Sequence, residues 1–366
     1  MNNIFLYDKN IITYQNLIDY VNSPIIEKHY SDLEIFILES IKNLSSYPVS
    51  NIDDLLSKII SNNNKILLNT SGTTGKPKDV SHTINTITKN IIINKKYGDV
   101  CWGLTYNQGK MAFYQVLLQS LFNKSKIVNL YGYSFDDMSD RIIENKITHI
   151  SATPTFYRML ISSKIIFKDI EQITLGGEGS DSQFINKLKV YFPNARVKNV
   201  YASTETASLF ASDNDIFKIP EKYLDKVKFI NNTLLIHKDL LGNIDNTPLN
   251  DEWYDTQDEV EFISENKFKF IGRKNIEINV SGFKVNPLRV ESIINSLPYV
   301  VNSVVYSKKN SVVGSLLCCD LILNKPIDKS IIKSELKNII DKHEIPVIIN
   351  IVDTIKINDN MKISRS

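Results

Sequence analysis

Cysteine is scarce. The chain has three in 366 residues, two of them adjacent at Cys318 and Cys319, which gives neither a disulfide framework nor a zinc-binding spacing. It has no block of one charge sign, and the net charge is only +2, so nothing points to nucleic acid or an anionic membrane surface as a partner. No apolar run is long enough to span a bilayer. The N-terminus, MNNIFLYDKN, has no basic n-region or apolar h-region of a signal peptide, so a reducing cytoplasm is the expected location. Internal repeats and low-complexity linkers are also missing.

What remains is ample for a core: 42% apolar residues over a length that fits one large or two ordinary domains. Residues 1–65 read as short helices with a strand or two, and Thr13–Leu17 begins an amphipathic helix. From 66 to 200, strand-like runs at 126–130, 147–151, 173–175 and 196–200 alternate with helical spacing at 136–144, 155–161 and 182–191. That alternation predicts an α/β fold with a parallel sheet. Residues 227–271 read as short strands and turns, a β-rich subdomain. A boundary is expected between Gly272 and Ile276. Beyond it Asn286 and Pro287 cap a helix carrying Val290, Ile293, Ile294 and Leu297. Strands at 300–306, 312–323 and 347–352 and a helix at 331–342 complete a small α+β domain. The expected division is a large N-terminal domain over 1–272 and a C-terminal domain over 276–366.

The chain is organised around Asn69–Lys78, reading NTSGTTGKPK, between the strand-like Ile66–Leu68 and a helical spacing over 83–93. Gly72 and Gly75 let the backbone approach a ligand closely. Thr70, Ser71, Thr73, Thr74, Lys76 and Lys78 offer donors and positive charge to an anion, a polyphosphate above all. The spacing is not that of a Walker loop: two residues separate the glycines, and Pro77 follows Lys76. A solvated Ser/Thr/Gly turn is the competing account.

Four other stretches carry chemistry. Tyr201–Glu205, YASTE, lies at the carboxyl end of an expected strand, where α/β sheets bind ligands. Tyr201 offers a flat face for a base, Thr204 a hydroxyl and Glu205 a hard oxygen ligand for Mg²⁺. Gly176, Gly177, Glu178 and Gly179 end the preceding strand. Asp258 closes WYDTQD and could hold ribose hydroxyls; Arg273 follows Gly272, and Lys362 sits in NMKISRS at the end of the chain. Taken singly, each reads more readily as an ordinary turn, loop or frayed terminus than as part of a site.

Taken together, TSGTTGKPK, YASTE, WYDTQD, GRKNIEINVSGFKVNPLRVE and NMKISRS resemble, in order and content, the adenylate-forming superfamily of acyl- and aryl-CoA ligases, luciferases and peptide-synthetase adenylation domains. The resemblance runs from about residue 66 to the end. It implies a ligase that joins a carboxylic acid to ATP with Mg²⁺, releases pyrophosphate, and passes the acyl group from acyl-AMP to the thiol of CoA or of a carrier protein's phosphopantetheine. It further implies that Thr70, Ser71, Gly72, Thr73, Thr74, Gly75 and Lys78 form the pyrophosphate loop. Gly177 and Glu178 would lie along the nucleotide. Tyr201 would pack on adenine, Thr204 contact the α-phosphate and Glu205 bind Mg²⁺. Asp258 would hold the ribose with Arg273, and Lys362 would be the mobile catalytic lysine of a C-terminal domain that swings about Asn275.

The chain departs from the superfamily pattern at Ala202, Gln257 and Met361, each where glycine is usual, and at the hinge, where Asn275 replaces Asp or Lys. The segment before the phosphate loop is much shorter than usual, leaving a flank open or covered by another subunit. No acid lies between Trp102 and Lys110 to hold an ammonium, so an aryl or small acyl acid is expected rather than an α-amino acid. Tyr106, Asn107, Lys110 and Gly177 are the candidate acid-pocket residues, with Lys110 facing a second carboxylate or polar group of the substrate, against the more ordinary reading of a solvated lysine at a helix start. The alternatives are delivery of the adenylate to an amine, and a non-catalytic nucleotide-binding protein of the same fold.

Overall fold

The computed structural model describes residues 4–24, 29–70, 78–244, 249–280, 282–310, 314–358 and 362–363. The chain opens with β1 (Ile4–Tyr7) and β2 (Ile11–Thr13), then α1 (Tyr14–Asn22), α2 (Asp32–Leu44) and α3 (Ile52–Asn62). Capping boxes start α1 and α2: Thr13 with Asn16, and Ser31 with Glu34. Asn63 ends α3 in the left-handed conformation.

Next come β3 (Lys65–Thr70) and β4 (Lys78–Thr83), paired antiparallel from Lys65↔Thr83 to Thr70↔Lys78. The phosphate-loop candidates Ser71, Gly72, Thr73, Thr74 and Gly75 connect these two strands and lie outside the described residues, as do the side chains of Thr70 and Lys78. Here the structure corrects the helix expected over 83–93. The segment before it is a strand, and α4 (Ile84–Thr88) stops after five residues. Val80 and His82 alternate inward along β4, a period of two over too few residues to register beside the isoleucines that follow.

The expected alternation then holds through β5 (Cys101–Leu104), α5 (Met111–Asn123), β6 (Lys126–Asn129), α6 (Phe135–Glu144), β7 (His149–Ala152), α7 (Pro154–Leu160), β8 (Gln172–Gly176), α8 (Ser182–Tyr191), β9 (Arg196–Ser203) and β10 (Ala207–Ser212). Eight strands form one sheet in the order β10-β9-β8-β7-β5-β6-β1-β2, parallel except at its two edges. One face carries α5 and the N-terminal helices over Leu6, Trp102, Leu104 and Ile127. The other packs Ile150, Ile173, Leu175 and Val197 under α6, α7 and α8. Strand order reverses at β5, which places a crevice at the carboxyl ends of β5, β7, β8 and β9.

His149 is a buried exception on the first of these faces, 5% exposed between Trp102 and Tyr97. Burial pushes its pKa from 6.5 down to about 4. The unfolded chain therefore takes up a proton near pH 6.5 that the folded chain refuses until about pH 4, so stability falls as pH drops through that window. The expected loss is about 3 kcal/mol by the bottom of the window. Urea midpoints between pH 7 and 4.5 should show it, and His149→Gln should flatten the slope.

The β-rich expectation is met by β11 (Ile216–Lys218), β12 (Val227–Ile230), β13 (Thr233–His237), β14 (Asn243–Ile244), β15 (Leu249–Asn250), β16 (Trp253–Ser264) and β17 (Lys267–Arg273). All but β14 join one antiparallel sheet around Leu234, Ile236, Val260 and Phe268, while β14 pairs with β4. The remainder is β18 (Ile278–Val280), β19 (Phe283–Val285), α9 (Pro287–Ser296), β20 (Val300–Asn310), β21 (Gly314–Leu323), α10 (Lys329–Leu336) and β22 (Ile348–Ile351). Asn286 caps α9 and Pro287 fills its first turn, as the sequence predicts. The helix expected over 331–342 runs instead over Lys329–Leu336, started by the Asp328 cap. This C-terminal part has its own core of Val290, Ile294, Leu317, Leu321, Ile332 and Leu336.

Candidate active site

The carboxyl ends of β7, β8 and β9 open into a cavity of about 1900 Å³, also lined by β16, β17, α9 and the end of the chain. At its centre is the three-residue turn between β9 and β10, whose tip carries Thr204 and Glu205. All three of its carbonyls are held. His82 Nε2 lies 2.6 Å from that of Thr204, Gly242 N–H donates to that of Glu205 at 2.7 Å, and Lys89 Nζ donates to that of Thr206 at 3.0 Å. His82 is 2% exposed and packs so close to Gly242 that no larger residue fits there. Since a carbonyl only accepts, His82 carries a proton on Nε2. Burial lowers its pKa, so the neutral ring is the resting form. With its backbone fixed in this way, Glu205 has a carboxylate with no hydrogen bond or ion pair among the described residues.

On the neighbouring sheet, Asp258 and Arg273 are cross-strand partners on β16 and β17. Arg273 Nε donates to Asp258 Oδ1 at 2.7 Å, and the Tyr201 hydroxyl donates to Asp258 Oδ2 at 2.7 Å. Burial works against the Arg273 charge, but Asp258 outweighs it and holds the guanidinium above its ordinary range. The Tyr201 ring stacks on Phe270 at 4.5 Å and on Phe210 at 5.7 Å, so a base can use only ring surface those two leave uncovered. Gln257, beside Asp258, sits at φ +62°, a conformation that glycine adopts without strain. Gln257→Gly is expected to leave the site in place and raise stability by up to about 1 kcal/mol, read as a rise of a few degrees in melting temperature.

Lys362 arrives from the far end of the sequence. Ile357 and Ile363 form an antiparallel bridge, and the Ile363 side chain is buried against Val304 and Ile355. Alternation along the chain then sends Lys362 the other way. Its Cε and Nζ pass over Gly177, about 3 Å from where a β-carbon would stand, and Gly177 has φ +80°. Both facts favour glycine: a side chain there would be strained and would push the lysine tip aside. Glu178 fixes this arrangement with its two carboxylate oxygens. One accepts from Thr155 N–H at 3.0 Å and the other from Ile363 N–H at 3.4 Å. Burial holds the Lys362 ammonium below the usual lysine range, opposed by Glu178. Its Nζ has no hydrogen bond or ion pair among the described residues.

The structure thus brings Tyr201, Thr204, Glu205, Gly177, Glu178, Asp258, Arg273 and Lys362 to one cavity, with Tyr106 and Lys110 on its wall. Asn107 is not among the lining residues. It lies in the turn between β5 and α5, which gives only Tyr106, Gly109 and Lys110 to the cavity. Asn275 falls in a short 3-10 turn after β17, its side chain outside the described residues. His82 and Lys89 went unread in the sequence, because their task depends on a strand pairing that periodicity did not reveal.

Among the described residues no group of three or more His, Cys, Asp or Glu could cage a metal ion. One unpartnered carboxylate, that of Glu205, fits Mg²⁺ held mainly by phosphate oxygens and water. On the α9 side, Ser292 Oγ donates to Asp181 Oδ2 at 2.5 Å, while Thr155 Oγ1, Ser180 Oγ and Asn295 Oδ1 along the same cavity are buried with no hydrogen-bond partner among the described residues.

Residues 42–228 match the model of the family described as AMP-binding enzyme. Among curated proteins, the chain is 23% identical to surfactin synthase subunit 2 of Bacillus subtilis (strain 168), over 84% of this chain and 10% of that protein. It is 24% identical to 4-hydroxybutyrate–CoA ligase 1 of Metallosphaera sedula, over 81% and 60%. Among solved structures, o-succinylbenzoate CoA synthetase of Bacillus subtilis with its acyl-adenylate OSB-AMP has a TM-score of 0.62 at 21% identity, covering 82% of this chain and 67% of that one. ATP-bound MatB of Rhodopseudomonas palustris has a TM-score of 0.64 at 18% identity, over 81% and 66%. The chain therefore spans 60% of the Metallosphaera ligase and a tenth of the surfactin subunit.

Proposed function

The chain belongs to the AMP-binding enzyme family, and from that premise we propose that it activates a carboxylic acid with ATP to an acyl-AMP, releasing pyrophosphate, and then passes the acyl group to a thiol. The observation that supports this best is Lys362, a buried ammonium with no hydrogen bond or ion pair to its Nζ among the described residues, lying over Gly177 in the cavity that also holds Glu205, Asp258 and Arg273.

The chemistry follows from these positions. Attack of a carboxylate oxygen on the α-phosphorus brings two anions together, so the protein must hold them in line and offset their charge. Asp258 keeps acceptor capacity for ribose hydroxyls after binding Arg273 and Tyr201. Thr204 places its hydroxyl at the α-phosphate. Glu205 would hold Mg²⁺, which when bound offsets charge on the phosphate oxygens. Lys362 reaches both the acid and the α-phosphate, where negative charge builds in the transition state. The stretch between β3 and β4, which lies outside the described residues, is assigned the pyrophosphate on its sequence alone.

We place the acid-binding and nucleotide-binding groups in residues 1–272 and assign 276–366 as the part that swings, with Asn275 at the hinge. The polar contact at α9 supports this, since moving domains meet through such surfaces. CoA and a carrier protein's phosphopantetheine are the candidate acceptors, and an aryl or short acyl acid is the favoured substrate. Mass spectrometry of acyl-AMP after incubation with ATP, Mg²⁺ and a panel of such acids is the test. Absence of any acyl-AMP across the panel would refute the reading.

A further inference from the structure

Away from the nucleotide end, the same cavity continues over the face of the central sheet. The strand register puts Ser151, Thr174 and Lys198 in one rung of that face. Trp102, His149 and Gln172 form the next rung down. At about 3.3 Å per residue these rungs lie roughly 7 and 13 Å below the level of Gly176. Ser151, Thr174, Lys198, Gln172 and Trp102 all line the cavity.

This floor departs from what a parallel sheet requires. Such sheets are covered on both faces and apolar on both. Under β1, β6 and β5 the rule holds, with Leu6, Ile127 and Leu104 packed against α5 and its neighbours. Under β7, β8 and β9 the same face turns polar where it meets the cavity. Two groups there want an anion or another acceptor. Trp102 is 6% exposed, and its indole N–H has no acceptor among the described residues. Lys198 makes no hydrogen bond or ion pair among them either. The carboxylate whose field it feels, Asp213, is held by Arg196 in a two-pronged pair at 2.9 and 3.0 Å. An orphaned donor in such a place costs free energy until something fills it. Lys110, the lysine singled out in the sequence, also lines the cavity, as the residue before α5.

We propose that the acid carries a second carboxylate at its far end, received by the Lys198 ammonium beside the Ser151 and Thr174 hydroxyls, with Trp102 N–H and Gln172 lining the end of the pocket. The substrate class is thus a dicarboxylic acid whose two acid groups are separated by a spacer of roughly 7–13 Å. This deepens the ligase reading and rests on it for the fate of the first carboxylate. Burial holds the Lys198 ammonium below its usual range, with Arg196 adding to the effect, so an arriving anion restores the charged form.

The test reads binding without turnover. The chain has two tryptophans, Trp102 and Trp253, so Trp253→Phe leaves Trp102 as the sole reporter. In that background, without ATP, hexanedioate and octanedioate are titrated against hexanoate and octanoate, following Trp102 emission. The dicarboxylates are expected to bind at least about tenfold more tightly, the usual worth of a charge-assisted hydrogen bond. Lys198→Met, which matches the side chain's length, should remove that preference while leaving the circular dichroism spectrum unchanged. Equal binding of the mono- and dicarboxylates, a preference that survives Lys198→Met, or no saturable change with any acid would overturn the proposal. Dicarboxylate binding without acyl-AMP formation would refute the ligase reading alone. Acyl-AMP from monoacids with no dicarboxylate preference would refute this proposal alone.

Discussion

Lys362→Ala is expected to reduce acyl-AMP formation by about 10²–10³-fold, the usual loss for one transition-state stabiliser, while ATP binding changes little. The split follows from placement. The lysine is held over Gly177 by the Ile363 anchor and by Glu178, and its Nζ has no hydrogen bond or ion pair among the described residues, so the folded structure should lose little without it. The measurements are acid-dependent ATP–pyrophosphate exchange and equilibrium ATP binding, made on the same preparation. Normal exchange in the variant would remove Lys362 from the mechanism.

Asp258→Ala is the second large effect, and it should appear in binding and stability together. The Asp258 side chain is 13% exposed and takes hydrogen bonds from both Arg273 and Tyr201. Its loss strands a guanidinium and a hydroxyl that both pointed at the same carboxylate. Hydrogen bonds to charged groups are worth about 1.5–3 kcal/mol, so ATP affinity should fall roughly ten- to hundredfold. The urea midpoint should fall at the same time. A variant with unchanged ATP affinity would exclude Asp258 as the ribose ligand.

Much of this could be read from the residues. β6, β7, β8 and β9 were legible because each carries β-branched residues in a short run between helical periods, and α9 because Asn286 and Pro287 announce its start. The site residues were legible only as a set, since each of Thr204, Glu205, Asp258, Arg273 and Lys362 alone is an ordinary polar residue. What escaped depends on partners distant in sequence. β4 is a strand because β3 and β14 pair with it. His82 has meaning only against Thr204, more than a hundred positions away. Lys198 was on view as a lysine inside a strand-like run, but its place on the cavity floor depends on the register of β9 against β8.

The unsatisfied Thr155, Ser180 and Asn295 atoms have a mechanical consequence. A dry, apolar seam between the chain's last third and the rest would cling shut and have to be pried apart. Here each step of separation wets a thirsty oxygen, and that hydration offsets much of the attraction given up as the seam opens. If residues 276–366 swing as proposed, their closed pose is then shallow, kept by the occupant of the cavity and released when that occupant changes.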